Sequence, residues 1–303
     1  MSGKGGRILG TLPLFAASLD DPCEPSPYAP LSRLFWNEFY ADPRRALNWE
    51  RCRAARELYE SESFRLSLDK LNMSYRVDFR AGMKLRRSLL ELLARDFFNG
   101  SSPDIRPGWR IMEEFLEVEP EVLRYARFRA GRDHERVQSR DRSSWSGPEC
   151  GKDVDQELVE YHLYAQWLAS VQVDSLREQA AGRGVELYMD LPLGVHPDGY
   201  DAWAYRDVFA RGVSGGAPPD AFFTAGQDWG FRPMHPWNSR DAGHAYFRRI
   251  VSRLMHFSNV IRLDHVMSLH RLYWVPLGFP ADQGAYVRYP WEELYAILLL
   301  ESH

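Results

Sequence analysis

Apolar positions along this chain change their spacing from segment to segment, and the changes outline its elements. ILGTLPLFAA, which follows Arg7, is a near-continuous apolar run of strand length. It predicts a buried strand, ended by the acidic, proline-rich DDPCEPSPYAP. From 43 to 130 the spacing is mostly helical. Leu85, Leu89, Leu92 and Leu93 mark one stripe, which stops at Asn99-Gly100, a pair suited to a left-handed C-cap. A second helical stretch is predicted from Trp109 to Ala130, past Phe115, Val122 and Phe128. The polar, nonperiodic GRDHERVQSRDRSSWSGPECGKD, 131–153, predicts a mobile surface loop with solvated basic residues.

From Asp155 the pattern sharpens. Leu158, Tyr161, Ala165, Leu168, Val171 and Leu176 keep helical spacing until Gly182 and Gly184. VELYMDLP follows as an extended run finishing at Asp190, and 194–240 reads as a long loop rich in Gly, Pro and Asp. Asp241 is a suitable N-cap for a helix through Tyr246, Ile250 and Leu254, which leads into the strand NVIRLDH. Helix, strand, loop, helix, strand is the rhythm of parallel β/α folds, whose active residues sit at the carboxyl ends of strands. Asp190 and Asp264 both fall at such ends.

Composition narrows the class without choosing a function. A chain of 303 residues, 45% hydrophobic and 26% charged, suits one large or two medium globular domains. Net charge −4 gives no global case for nucleic acid or an anionic membrane as partner. No apolar run nears the roughly 18 residues that span a bilayer, and the proline-marked start does not read as a signal peptide. Cys23, Cys52 and Cys150, odd in number and scattered, predict reduced thiols in a cytoplasmic protein. The 14% of aromatic residues invites thoughts of sugar stacking, but composition alone favours a large core.

Alternation along a strand points Arg262 and Asp264 the same way and His265 the other. A guanidinium beside a carboxylate favours its charged form, as a nucleophilic carboxylate in sugar chemistry requires. On spacing alone, a structural Arg–Asp pair at a strand end is the favoured reading. His265 is open among ligand, substrate donor and packed polar residue. Asp190 either orients a sugar hydroxyl or caps the next loop. His196, Asp198 and Asp201 form a loose metal-like group, although Asx-turns account for aspartates beside Gly and Pro. In GGAPPDAFFTAGQDWGF, 215–231, Gln227 and Trp229 between Gly226 and Gly230 suggest a stacking wall with an amide donor. A loop packed for stability alone is the other reading.

Several ordered blocks resemble one family. DLPLGVHPDGYDAW, GGAPPDAFFTAGQDWGF and IRLDHVMSLHRLYWVP look like signature blocks of the 4-α-glucanotransferases, family 77 of the glycoside hydrolases. SPYAPLSRLFWNEFY (26–40), YHLYAQWLASVQ (161–172) and DQGAYVRYPWEELYAILLLESH are similar to further family segments. The resemblance is weakest over 45–110 and 131–153. It implies an α/β fold, a (β/α)8 TIM-type barrel with helical insertions, acting on α-1,4-glucans from donor to sugar acceptor by a retaining double displacement. Asp264 falls on the family nucleophile and Arg262 on the arginine that keeps it ionised. Tyr28, Asp190 and Trp229 match substrate-binding positions; Gln227, Ser26, Asp198 and His265 are further candidate contacts. No metal or organic cofactor is implied.

The chain also departs from the family. The acid/base glutamate belongs to a later G-E-D-L-G block and a third carboxylate to an H-D block, and neither block occurs here. Glu292, Glu293 and Glu301 sit on helical segments and are poor substitutes. The expected architecture is therefore about strands two to four of the barrel, with 1–42 and 155–303 as partial barrel and 43–154 as a mainly helical insertion. Such an open barrel is expected to be marginal alone and inactive on maltooligosaccharides. The rival readings are a noncatalytic glucan-binding or broken-gene product and an α-amylase-type hydrolase, which lacks the GQDWG-type loop.

Overall fold

A computed structural model describes residues 5–20, 23–99, 106–138 and 154–302. Gly100 of the expected cap, residues 139–153 of the expected loop and Cys150 lie outside these. In chain order the elements are β1 (Ile8–Gly10), α1 (Arg53–Glu60), α2 (Glu62–Asn72), α3 (Phe79–Asn99), α4 (Arg106–Val118), α5 (Glu121–Gln138) and α6 (Gln156–Ala181). Then come β2 (Glu186–Leu191), α7 (Tyr200–Ala204), β3 (Val213–Ala217), β4 (Gln227–Asp228), α8 (Pro236–Asp241) and α9 (Ala245–Phe257). The last are β5 (Val260–Leu263), β6 (Arg271–Pro276), β7 (Ala285–Arg288) and α10 (Trp291–Glu301). The chain separates into two compact units: Met1–Ala17, Ser26–Leu34 and Val173–His303 in the first, Ser18–Pro25 and Phe35–Gln172 in the second. The boundary thus falls within α6, where the sequence pattern alone suggests 154/155.

The second unit is helical. Leu89, Leu90, Leu93 and Phe97 of α3 are buried, and Phe97 packs on Tyr164 and Trp167 of α6 at 5.4 and 5.0 Å between ring centres. Polar residues of α6 are structural here. Gln166 exchanges two hydrogen bonds with the Trp36 backbone, and Tyr164 donates to Asn48 at 2.6 Å. Two expectations are corrected. The helix expected over 109–130 is two helices, parted at Glu119-Pro120, because proline disfavours helix in the residue before it. The loop expected from 131 begins as helix, since α5 runs to Gln138. Its Asp133 is buried between His162 at 2.9 Å and Arg87 at 2.8 Å, so polarity there marks a paired interior charge.

The first unit holds two sheets. β1, β2 and β5 form a parallel sheet in that order, with Tyr188 opposite Val260 and Asp190 opposite Arg262. β4, β3, β6 and β7 form an antiparallel sheet in that order. The long buried first strand is not found. β1 is three residues long, Ile8 is 53% exposed, and the buried residues Phe15 and Ala16 lie outside any strand. Pro13 cannot donate to a ladder, which limits how far the strand can extend. The loop expected over 194–240 contains α7, β3, β4 and α8. Its glycines misled because Gly215 and Gly216 are strand residues that leave room for neighbours: added Cβ atoms would meet the Phe231 ring at 2.3 Å and the Gln227 carbonyl at 2.1 Å. Asp241 ends α8 and does not cap α9; Gly243 and His244, both left-handed, make the break. Among the described residues no helix is long and apolar enough to cross a membrane.

Candidate active site

Asp190 and Arg262 are registered partners on adjacent parallel strands, so their side chains rise on one face of the sheet. Arg262 Nη1 donates to Asp190 Oδ2 at 2.6 Å, and its Nη2 donates to Asp264 Oδ1 at 3.0 Å. The guanidinium therefore bridges both carboxylates. Its contact with Asp190 is the closer, a cross-strand bond that spacing along β5 does not reveal. The Arg262 pKa is raised, first by its hydrogen bond to Asp190.

Tyr28 enters from the segment 26–34, and its hydroxyl donates to the same Asp190 Oδ2 at 2.8 Å. That bond is the main reason its phenol is pushed up, since ionising it would place two negative oxygens together. Ser26 sets the local turn: its Oγ accepts from the Tyr28 amide at 3.3 Å and its carbonyl from Ala29. Asp190 is 3% exposed, and its other oxygen, Oδ1, is buried without a hydrogen-bond partner among the described residues. A buried carboxylate oxygen in that state awaits a donor.

Asp264 stands one residue beyond β5. Its amide donates to the Leu191 carbonyl at 3.0 Å, which extends the ladder by one rung and fixes the residue at the sheet end. The chain then turns sharply, because His265 adopts a left-handed conformation at φ 46°. His265 meets the edge of Trp229, with ring centres 5.1 Å apart. Burial pushes the His265 imidazole down, opposed by the Asp264 charge.

Trp229 is braced on two further sides. Its Nε1 donates to Gln227 Oε1 at 3.0 Å, and its ring stacks over Phe231 with centres 6.2 Å apart. Gln227 therefore spends its carbonyl on the tryptophan and keeps its NH2 group as the donor. Phe231 itself lies over Gly194 and Gly215, whose missing side chains make its seat.

The structure thus brings Tyr28, Asp190, Arg262 and Asp264 into one hydrogen-bonded chain, and Gln227, Trp229 and His265 into an adjoining cluster. The Asp198 amide donates to His196 Nδ1 at 3.0 Å. The loose metal-like group does not assemble. Asp201 is fully buried and accepts from Ser32 Oγ at 2.5 Å, Tyr246 Oη at 2.6 Å and the Arg33 amide at 2.7 Å. Burial pushes its carboxyl up, against those three bonds. Among the described residues no group of three His, Cys, Asp or Glu is arranged to hold a metal ion. Sequence reasoning missed Arg33 and Phe231. Arg33 had a signal, as a lone cation inside the apolar run LSRLFW; Phe231 had none.

The profile of glycoside hydrolase family 77, described as 4-alpha-glucanotransferase, matches residues 1–303. A 4-alpha-glucanotransferase of Mycobacterium tuberculosis is 33% identical over 316 residues, covering 100% of this chain and 43% of the relative. One of Haemophilus influenzae is 29% identical over 317 residues, covering 99% and 45%. Among solved structures, amylomaltase from Corynebacterium glutamicum superposes with a TM-score of 0.83 at 26% identity, over 97% of this chain and 40% of that one. The chain spans less than half the length of these relatives. The parallel sheet of β1, β2 and β5 is part of a TIM-type (β/α)8 barrel. A profile match through all 303 residues, on a fold shared with an amylomaltase, makes the chain a member of the 4-alpha-glucanotransferase family.

Proposed function

We propose that this chain carries the nucleophile half of a retaining 4-α-glucanotransferase site. The observation that carries the reading is the state of Asp264. Arg262 holds its Oδ1, and Oδ2 has no hydrogen bond among the described residues, at the end of a barrel strand. Asp264 Oδ2 attacks the anomeric carbon of an α-1,4-glucan donor and forms a covalent ester, while the leaving oxygen takes a proton from a carboxylic acid. These 303 residues contain no G-E-D-L-G block, so we assign that acid to residues outside them. A sugar 4-hydroxyl then gives its proton to the carboxylate left by that acid and attacks the anomeric carbon, which breaks the ester and frees Asp264.

Supporting roles follow from contacts. Arg262 orients Asp264 against Asp190, and Tyr28 secures Asp190. Asp190 is assigned as a substrate-binding residue at the end of β2, beside Arg262 and Tyr28. Trp229, backed by Phe231 and Gln227, offers an aromatic wall that stacks on the sugar and excludes water. Ser26 acts by shaping the Tyr28 turn; on the family resemblance alone, Asp198 and His265 are further candidate contacts to the glucan. The family resemblance implies no metal or organic cofactor. Cys23 and Cys52 are free thiols, consistent with a reducing cytoplasm.

A glycosyl fluoride isolates the nucleophile step, because fluoride leaves without a proton. On α-maltosyl fluoride the C–F bond breaks, the Asp264–glucan ester forms, and fluoride departs. Intact mass should rise by one maltosyl group per chain, and Asp264→Asn should abolish the gain. An unlabelled wild-type chain overturns the reading, and retention on amylose without labelling favours a noncatalytic glucan binder.

A further inference from the structure

The turn that follows Asp190 is held from inside the first unit by one buried cation. Arg33 is 5% exposed, and its Nη1 donates to the Pro192 carbonyl at 3.1 Å and the Leu193 carbonyl at 2.8 Å. Its Nε and Nη2 both reach the Tyr246 hydroxyl at 3.3 Å, and that hydroxyl donates to Asp201 at 2.6 Å. The Arg33 amide binds Asp201 as well, at 2.7 Å. Each nitrogen of this guanidinium thus makes a hydrogen bond within the fold.

What it holds matters more than the network itself. Pro192 and Leu193 directly follow Leu191, whose carbonyl receives the Asp264 amide. They also follow Asp190, which receives Tyr28 and Arg262. The next residue, Gly194, is closed off by Phe231, with 2.3 Å between its would-be Cβ and the ring. Arg33 and Asp264 line one cavity of about 50 Å³ together with Leu191, Pro192 and Leu193. Segment 26–34 thus grips residues 190–193 at two points, through the Tyr28 hydroxyl on one side and the Arg33 fork on the other.

We infer that Arg33 is a positioning residue for the transfer reaction, fixing the Leu191–Leu193 turn from which the Asp264 amide hangs. The inference rests on the reading of Asp264 as nucleophile. Two carbonyls converging on one planar, permanently charged donor define a turn more tightly than neutral contacts do. A displacement of Asp264 of about 1 Å is enough to cost about 100-fold in rate.

Labelling with α-maltosyl fluoride at saturating concentration separates this role from simple folding. Unfolded molecules lower the fraction of chains labelled at long times, whereas a displaced nucleophile lowers the rate constant of those that label. Arg33→Met should cut the rate constant at least about tenfold, at a near-wild-type final fraction. Arg33→Lys, with its single ammonium, should fall between. Ser32→Ala removes an Asp201 bond in the same network but leaves the fork intact; it should lower the urea midpoint and keep the rate constant. If Arg33→Met is insoluble, Arg33→Lys decides. A wild-type rate constant in the folded Arg33 variant, or an equal fall in Ser32→Ala, overturns the positioning role. An unlabelled wild type instead removes the Asp264 reading, and this one with it.

Discussion

Arg262 binds Asp190 more closely than Asp264, at 2.6 Å against 3.0 Å, although Asp264 is two residues away and Asp190 is 72. Register sets that order. Arg262 and Asp190 are direct cross-strand partners, while Asp264 lies past the last residue of β5 and meets the guanidinium from the side. The arginine is thus anchored on the buried carboxylate and presents its second arm to the more exposed one. Asp190 is an anchor for the arginine that holds Asp264, as well as a candidate sugar contact.

The 303-residue chain incubated with maltotriose should yield neither glucose nor longer maltodextrins on separation of the products, while still accepting label from α-maltosyl fluoride. The two substrates differ in whether the leaving group requires a proton. Turnover of maltotriose would show that the acid lies within the 303 residues.

Tyr28→Phe removes one of the two donors to Asp190 Oδ2 and leaves a carboxylate whose Oδ1 is already unpartnered. A hydrogen bond to a charged group contributes about 1.5–3 kcal/mol, reduced here to about 1 kcal/mol because Tyr28 is partly exposed. The labelling efficiency, rate constant over apparent donor dissociation constant, should fall roughly fivefold. An unchanged value would mean that the Tyr28–Asp190 bond plays no part in donor binding.

Gly194→Ala and Gly215→Ala each push a methyl group to 2.3 Å from Phe231, from opposite ends of the ring. Overpacking of this kind costs about 1–3 kcal/mol. Both variants should unfold at lower urea than wild type. Because Trp229 stacks on Phe231, tryptophan emission should shift in the folded state too. Unchanged midpoints for both would show that Phe231 is free to move aside.

His265 should titrate below 6.5, as burial disfavours its charged form. Asp264→Asn removes the charge that pulls it back up, so the value should fall further. The linkage sign follows. With the folded value depressed, the folded state binds fewer protons than the unfolded state. The His265 contribution is present in full above 6.5 and is lost as pH falls from there through the folded value. NMR titration of the ring, assigned with His265→Gln, measures both shifts. A value at or above 6.5, or a rise in Asp264→Asn, would contradict this account.

Legibility in the sequence followed the range of the interaction. The end of α6 at Gly182 and Gly184 and the strands ending near Asp190 and Asp264 are local patterns, and they appear where the spacing put them. Asp133 and the glycines of β3 failed for the opposite reason. A charge reads as solvated until a partner from another helix is known, and a glycine reads as a turn until the ring or carbonyl occupying its empty side is seen.

The sequence by itself determined the family, through long ordered blocks, and placed Asp264 at a strand tip beside an arginine. Which carboxylate that arginine grips first was decided by the register of β2 against β5, a long-range pairing between segments that are each compatible with other partners alone. The same holds for Arg33, Phe231 and Tyr28, whose roles come from contacts spanning 159 residues from Arg33 to Pro192 and 162 from Tyr28 to Asp190. Side-chain chemistry is written in the residue, but burial and partnership are properties of the folded chain.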